Sequence, residues 1–436
     1  MKEENVSFKS SLVRTALPIT GQSLLQSSFS VIDQLMVGQL GSVSIAAVGI
    51  AGKFASFFSV IIAAVISAYG IMLSQYIGKK DGKGEGHAFR ITFLISSVVV
   101  LVFLLPSIVF PSSVMRLYIT DPDTVSEAAV YLRIVSVGFP FQALTLLFST
   151  ILRCRDRASL PLLSSLFSAV VNSSLNYVFI FLLDRGVAGA AAATVLSQAV
   201  AFVFVLIPAV RYLHTEKGGE SRAYVKSFFR IFLPIIFCEF FWGLGENVYA
   251  SVYGHLGTAS TAAYSLTGPV QSLMIGALTG LSQASGILIG KDLGKKDKDA
   301  AYSHSLLIIR CGVIFSVALS VLLVFVRGAY LELYSVEEEV KSLASALLLV
   351  YAFYAPVKVS NMIIGGGIVR AGGRTDLSMY VDLIGTWCIG VPVALLTSFV
   401  FSLPVYWVYA ALSGEECVRL GMVTKLFRSR RWMESL

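Results

Sequence analysis

Six ionisable side chains stand within long apolar stretches of this sequence: Asp33, Glu239, Glu246 and Asp382, with Lys53 and Lys358. A charge at membrane depth is expensive, and by default it marks a path for ions or substrate. Four acids against two bases leave two extra negative charges, the balance a cation-binding cavity needs. At the helical rise, Asp33 lies roughly 8 Å below the outer end of its helix. Asn176 lies roughly 10 Å down, Asn172 one turn deeper on the same face, and Thr194 roughly 12 Å down. Carboxylate, amide and hydroxyl oxygens at one depth suit a hard cation such as Na⁺, and a protonatable Asp among polar partners suits H⁺ equally. The bland alternative is that Asn and Thr bind helices together.

A second set lies nearer the opposite face. Glu239 and Asn361 are each roughly 14 Å from the inner ends of their helices, and Asp382 roughly 9 Å. Glu246 has no assigned facing. Lys53, roughly 10 Å down, is a candidate partner for Asp33, and Lys358 for Glu239 or Glu246, pairings that the sequence leaves open. These acids and Asn361 read as a substrate or cation site, or else as structural pairs and helix caps. Pro18, on the same helix as Asp33, is a candidate hinge, because proline frees backbone carbonyls and kinks a helix. Catalysis has no such set: there is no HExxH, no GxSxG and no paired His, and the five cysteines form no CxxC. No catalytic residue and no cofactor beyond a coupling ion is expected.

The elements that must hold these groups are membrane helices. The chain has 436 residues, 56% hydrophobic and 14% charged, with mean hydropathy +0.77. Uncharged runs such as 54–78, 159–183 and 248–290 match or exceed the roughly 20 residues a spanning helix requires. Splitting the longest runs at Gly254–Gly257 and Pro404 predicts twelve helices: 15–38, 45–77, 91–113, 127–151, 159–183, 186–211, 230–254, 259–290, 306–327, 342–369, 377–400 and 404–419. The charged start MKEENVSFKSSLVR leads into a run with no small-residue cleavage site, so no cleaved leader is expected. The net charge of +8 invites a nucleic-acid reading, but the basic residues sit in short loops between apolar runs. One side collects 27 Lys and Arg, the other 5, which predicts both termini in the cytoplasm.

The chain repeats. Pro18 and Pro234, Gly41 and Gly257, Pro140 and Pro356, and the runs beginning Gly78-Lys79-Lys80-Asp81 and Gly294-Lys295-Lys296-Asp297 are each separated by 216 residues. Six helices per repeat give both halves one orientation, the arrangement that builds a cavity between two bundles in transporters. The expected fold is an all-α membrane protein of two six-helix lobes related by a pseudo-two-fold axis along the membrane normal. Residues 1–213 form the first lobe, 214–229 a cytoplasmic linker, and 230–436 the second lobe.

LPITGQSLLQSSFSVIDQLMVGQLG, SQYIGKKDGK, GVAGAAAATVLSQ and GILIGKDLGKKD resemble segments of bacterial-type multidrug and toxic compound extrusion (MATE) transporters, and the likeness extends over roughly residues 10–425. The resemblance implies efflux of lipophilic or cationic organic compounds by antiport with Na⁺ or H⁺. It implies a cell-membrane location and a monomer, and it places Asp33, Asn172, Asn176 and Thr194 in the family's cation site. It also implies acids on the seventh helix, although Glu239 stands about one turn before the family's usual position, which Trp242 occupies here. Two alternatives are a lipid-linked oligosaccharide flippase of the related superfamily and a membrane-embedded enzyme. The first lacks an excess of basic residues at depth, and the second lacks a catalytic cluster.

Overall fold

The computed structural model describes residues 2–213, 221–334 and 336–436, with backbone only for 2–7, 30, 31, 34, 35 and 221. Every long apolar run is helical, since a backbone in lipid must satisfy its own hydrogen bonds, and no strand occurs among the described residues. The long segments are α1 (Lys2–Val37), α2 (Ser42–Lys79), α3 (Gly82–Val109), α4 (Pro122–Cys154), α5 (Ser159–Leu182), α6 (Gly186–Tyr212), α7 (Ser221–His255), α8 (Thr258–Gly294), α9 (Lys298–Leu331), α10 (Glu338–Val369), α11 (Thr375–Val400) and α12 (Val405–Ser413, continued by Glu415–Arg428). All but α1 and α12 are long and apolar enough to cross a membrane on their own. α1 begins well before residue 15, and α12 continues well past residue 419.

The repeat is stereochemical as well as sequential. Gly41 and Gly257, which start α2 and α8, have φ of 100° and 105°, where a side chain would be strained. Lys80 and Lys296 end α2 and α8 in the left-handed region at φ 58° and 63°. Asp81 then caps α3 by accepting from the Gly84 amide at 2.9 Å, and Asp297 caps α9 by accepting from the Ala300 amide at 2.9 Å.

By packing, the chain forms two compact units, one of Gly21–Phe228 and one of Met1–Thr20 with Phe229–Leu436. The first twenty residues thus pack with the second half. Phe8 and Leu12 are buried there among Leu288, Ile308 and Ile364, and the Phe8 ring stacks on His304 at 3.6 Å. The other unit has its own version of this stack, Tyr224 on His87 at 4.6 Å. Of the expected linker 214–229, residues 214–220 lie outside the described residues and 221–229 form the start of α7. Gly280 and Gly367 allow close helix approach, since a Cβ at either would strike neighbouring backbone, at Ala16 and Ser282 respectively.

Three helices loosen where their polar residues lie. Wider π-helical turns begin directly after Asn176 in α5 and Asn361 in α10, and at Ile384, two residues after Asp382 in α11. Such turns frequently mark functional sites.

Candidate functional site

In the unit Gly21–Phe228, four helices bring polar groups together. Asn176 donates its amide to Asp33 Oδ1 at 2.6 Å and to Asn172 Oδ1 at 3.1 Å. Asn176 has no solvent exposure, and its Oδ1 has no hydrogen-bond partner. Thr194 spends its hydroxyl proton on the Ala190 carbonyl at 3.0 Å, which leaves its oxygen as an acceptor. The Tyr131 hydroxyl of α4 lies against Thr194 and near Asp33. Tyr131 escaped the sequence reading because a tyrosine in an amphipathic stretch carries no signal that separates it from core. Lys53 forms no ion pair with Asp33 among the described residues, so the pairing that their similar depth left open is not made. The cluster holds one carboxylate, two amides and two hydroxyls, and can take a proton or a small hard cation.

In the other unit, the acids named from sequence are met by arginines that had been assigned to the ends of helices. Arg370 Nη1 lies 3.6 Å from Glu239 Oε1, and its Nη2 lies 3.7 Å from Asp382 Oδ2. The Cys238 thiol donates to Asp382 at 3.0 Å. Arg419 of α12 approaches Asp382 at 3.8 Å, binds Glu415 at 2.9 Å and donates to Thr386 at 2.8 Å. Glu239 is therefore neutralised by Arg370 and not by Lys358. Asn361 donates its amide to Glu416 at 2.7 Å and does not join Glu239.

Glu246 lies elsewhere, in an open pocket that it shares with Lys358, Glu415, Glu416 and Arg419. Tyrosines 249, 253, 264, 351, 354 and 409 and Trp242 line its walls. Glu415, Glu416 and Arg419 went unassigned in the sequence because they follow the last apolar run and read as its cytoplasmic end. With them included, five carboxylates face three cations in this unit, so the excess of two negative charges persists with different members.

The packing of the two arginines follows the repeat. Arg153 donates to Gln22 at 2.6 Å, and Gln22 donates to Ser165 at 2.7 Å. One repeat later stand Arg370, Cys238 and Asp382 in the same relation.

A family model described as MatE matches residues 18–178 and 234–396, one copy in each half. The chain is 22% identical to the uncharacterized transporter YisQ of Bacillus subtilis, over 92% of this chain and 90% of that one. It is 23% identical to the probable multidrug resistance protein NorM of Thermotoga maritima, over 99% and 94%. A solved structure of a MATE protein in its bent conformation superposes with a TM-score of 0.89 at 19% identity, over 97% of this chain and 95% of that one. Two polar-cored helical units, repeated in sequence and each matched by the family model, place this chain in the MatE family of multidrug and toxic compound extrusion transporters.

Proposed function

We propose that the protein exports lipophilic, often cationic organic compounds by antiport with Na⁺ or H⁺, from a cell membrane in which both termini face the cytoplasm and the chain acts as a monomer. The observation that carries the coupling half of this reading is the buried Asn176, whose Oδ1 has no donor while its amide holds Asp33. A buried polar atom left unpaired costs about 1–3 kcal/mol. A cation bound between Asp33, Asn172 and Asn176 answers that oxygen, and protonation of Asp33 relieves the charge instead. Either event changes the polar content of the cluster, and Pro18 gives α1 a place to respond. Membership of a transporter family supports export over enzymatic chemistry.

The test is transport of a fluorescent organic cation by the purified protein in proteoliposomes, with Na⁺ and pH gradients imposed separately. Transport that ignores both gradients overturns the antiport reading.

A further inference from the structure

The end of α12 and the tail after it have two faces of opposite character. Phe427, Trp432 and Met433 are buried in the core that also holds Phe8 and Ile368, and Trp432 has no solvent exposure. The Trp432 indole donates to the Phe427 carbonyl at 3.0 Å, which folds the tail back on α12. Gly372 makes room for it, since a Cβ there would strike the Trp432 carbonyl oxygen. Interleaved with these anchors, Lys425, Arg428, Arg430 and Arg431 are exposed. Four cations within seven residues are thus held outward by a buried apolar side.

The neighbouring acids are already engaged. Glu434 lies between Arg230 and Arg374, each at 2.8 Å. Asp299 takes Arg430 at 3.1 Å, and the Arg430 guanidinium also lies 4.3 Å from the Tyr302 ring centre. Lys425, Arg428 and Arg431 form no ion pair among the described residues. Like charges so close repel one another, and an external anion relieves that repulsion.

Their height fits one source of anions. Lys425 stands 21 residues past Pro404, where α12 begins, which is roughly 32 Å along the helix. A common tilt of about 20° shortens that to roughly 30 Å, the thickness of a bilayer's hydrocarbon core, about 30 Å. The cations therefore leave the apolar layer at the level of the lipid headgroups.

We infer that this tail is a docking surface for anionic phospholipid headgroups, with Lys425, Arg428 and Arg431 as its free cations and Trp432 as the anchor that fixes them. Juxtamembrane basic clusters are drawn to the negative cytoplasmic leaflet. Headgroups bound there tie α12, which carries Glu415, Glu416 and Arg419, to the membrane plane. The surface is independent of what the protein exports, and shares with the exporter reading only the cytoplasmic side of the tail.

Titration of dioleoylphosphatidylglycerol into the purified full-length protein in uncharged detergent tests this, with the thermal unfolding midpoint as readout and dioleoylphosphatidylcholine as the neutral match. Phosphatidylglycerol is expected to raise the midpoint above the value in phosphatidylcholine, because a ligand of the folded state shifts unfolding by mass action. The difference should shrink between about 0.05 and about 0.5 M salt. Each cation near an anionic surface is worth about fivefold in affinity, so Lys425→Gln, Arg428→Gln and Arg431→Gln in one chain should weaken half-saturation about a hundredfold. Arg428→Lys with Arg431→Lys keeps the charge and should stay within about threefold. Arg116→Gln, Arg133→Gln and Arg185→Gln remove as much exposed charge elsewhere and should stay within about twofold. An unweakened triple variant of the tail, or an equal loss in this second triple variant, overturns the surface. If the tail variant does not fold, the other arms decide: a rise that neutral lipid reproduces, or that ignores salt, overturns it too. sn-Glycerol 1-phosphate, the soluble headgroup, should have little effect at the same concentration, and a matching rise would mean a phosphate site in place of a membrane surface. Because no gradient is applied, loss of transport would overturn the exporter reading and leave these outcomes standing.

Discussion

Asn176 holds Asp33 by a 2.6 Å hydrogen bond from a position with no solvent exposure, so the charge state of one is bound to the geometry of the other. Asp33→Asn keeps the shape of the cluster and removes its charge. The expected result is a folded protein that has lost gradient-driven efflux in proteoliposomes, and efflux at the unmodified rate would rule out a coupling site at Asp33.

Asn176→Ala removes both the donor to Asp33 and the unpaired oxygen. Because an amide oxygen ligates a metal ion but does not take up the proton, this variant is expected to weaken Na⁺ dependence about tenfold while the response to pH changes less. Equal losses under the two gradients would argue against Asn176 as a cation ligand.

Tyr131→Phe deletes one hydroxyl beside Thr194. Its thermal unfolding midpoint in detergent should stay within a few degrees, since a single hydrogen bond contributes about 1 kcal/mol. The concentration of coupling ion that half-saturates transport should rise a few-fold, and an unmoved value would assign Tyr131 to packing alone.

Arg370, directly after α10, stands between two carboxylates. Arg370→Met leaves Glu239 without its cation and Asp382 with only Arg419, and is expected to destabilise the unit by about 3–5 kcal/mol. Adding Glu239→Gln and Asp382→Asn to the same chain should recover most of the loss in thermal unfolding. Failure to recover would mean that Arg370 stabilises through packing and not through charge.

Outside the membrane, Glu434 bridges Arg374 and Arg230, each at 2.8 Å. Partial burial works to raise its pKa, but the two guanidiniums outweigh it and hold it below the ordinary carboxylate range. A depressed folded pKa contributes stability that is present above the unfolded value, about 4.3, and is lost as pH falls through the folded one. The fluorescence of the buried Trp432 nearby should therefore hold constant from neutral pH down to about 4.5 and change only below it. In Glu434→Gln that acid transition should be absent.

Much of this architecture was legible in the sequence, because membrane helices announce themselves by run length and the repeat by a constant offset. Gly257, expected as a break, is where α8 begins, in the left-handed backbone its counterpart Gly41 also adopts. Asp33, Asn172 and Asn176 were placed by depth, and depth suffices when three groups lie on neighbouring helices. It failed for Glu239 and Asn361, which share a depth but not a partner. Depth fixes height along a helix and leaves its rotation open, and rotation decides that Glu239 meets Arg370 while Asn361 meets Glu416. Arginines at run ends were read as loop charges, yet a long side chain can turn back into the protein, as Arg370 and Arg419 do.

The duplicated arginine has an evolutionary consequence. Arg153 and Arg370 occupy equivalent places, with Gln22 and Ser165 around the first and Cys238 and Asp382 around the second. A lineage that already carried the guanidinium in both copies could admit a carboxylate at position 382 in a single step, because the counter-charge was waiting. The reverse order would have left that carboxylate with only Arg419, at 3.8 Å, to answer its charge. The two halves could therefore diverge in charge without either ever having to cross an unfolded ancestor.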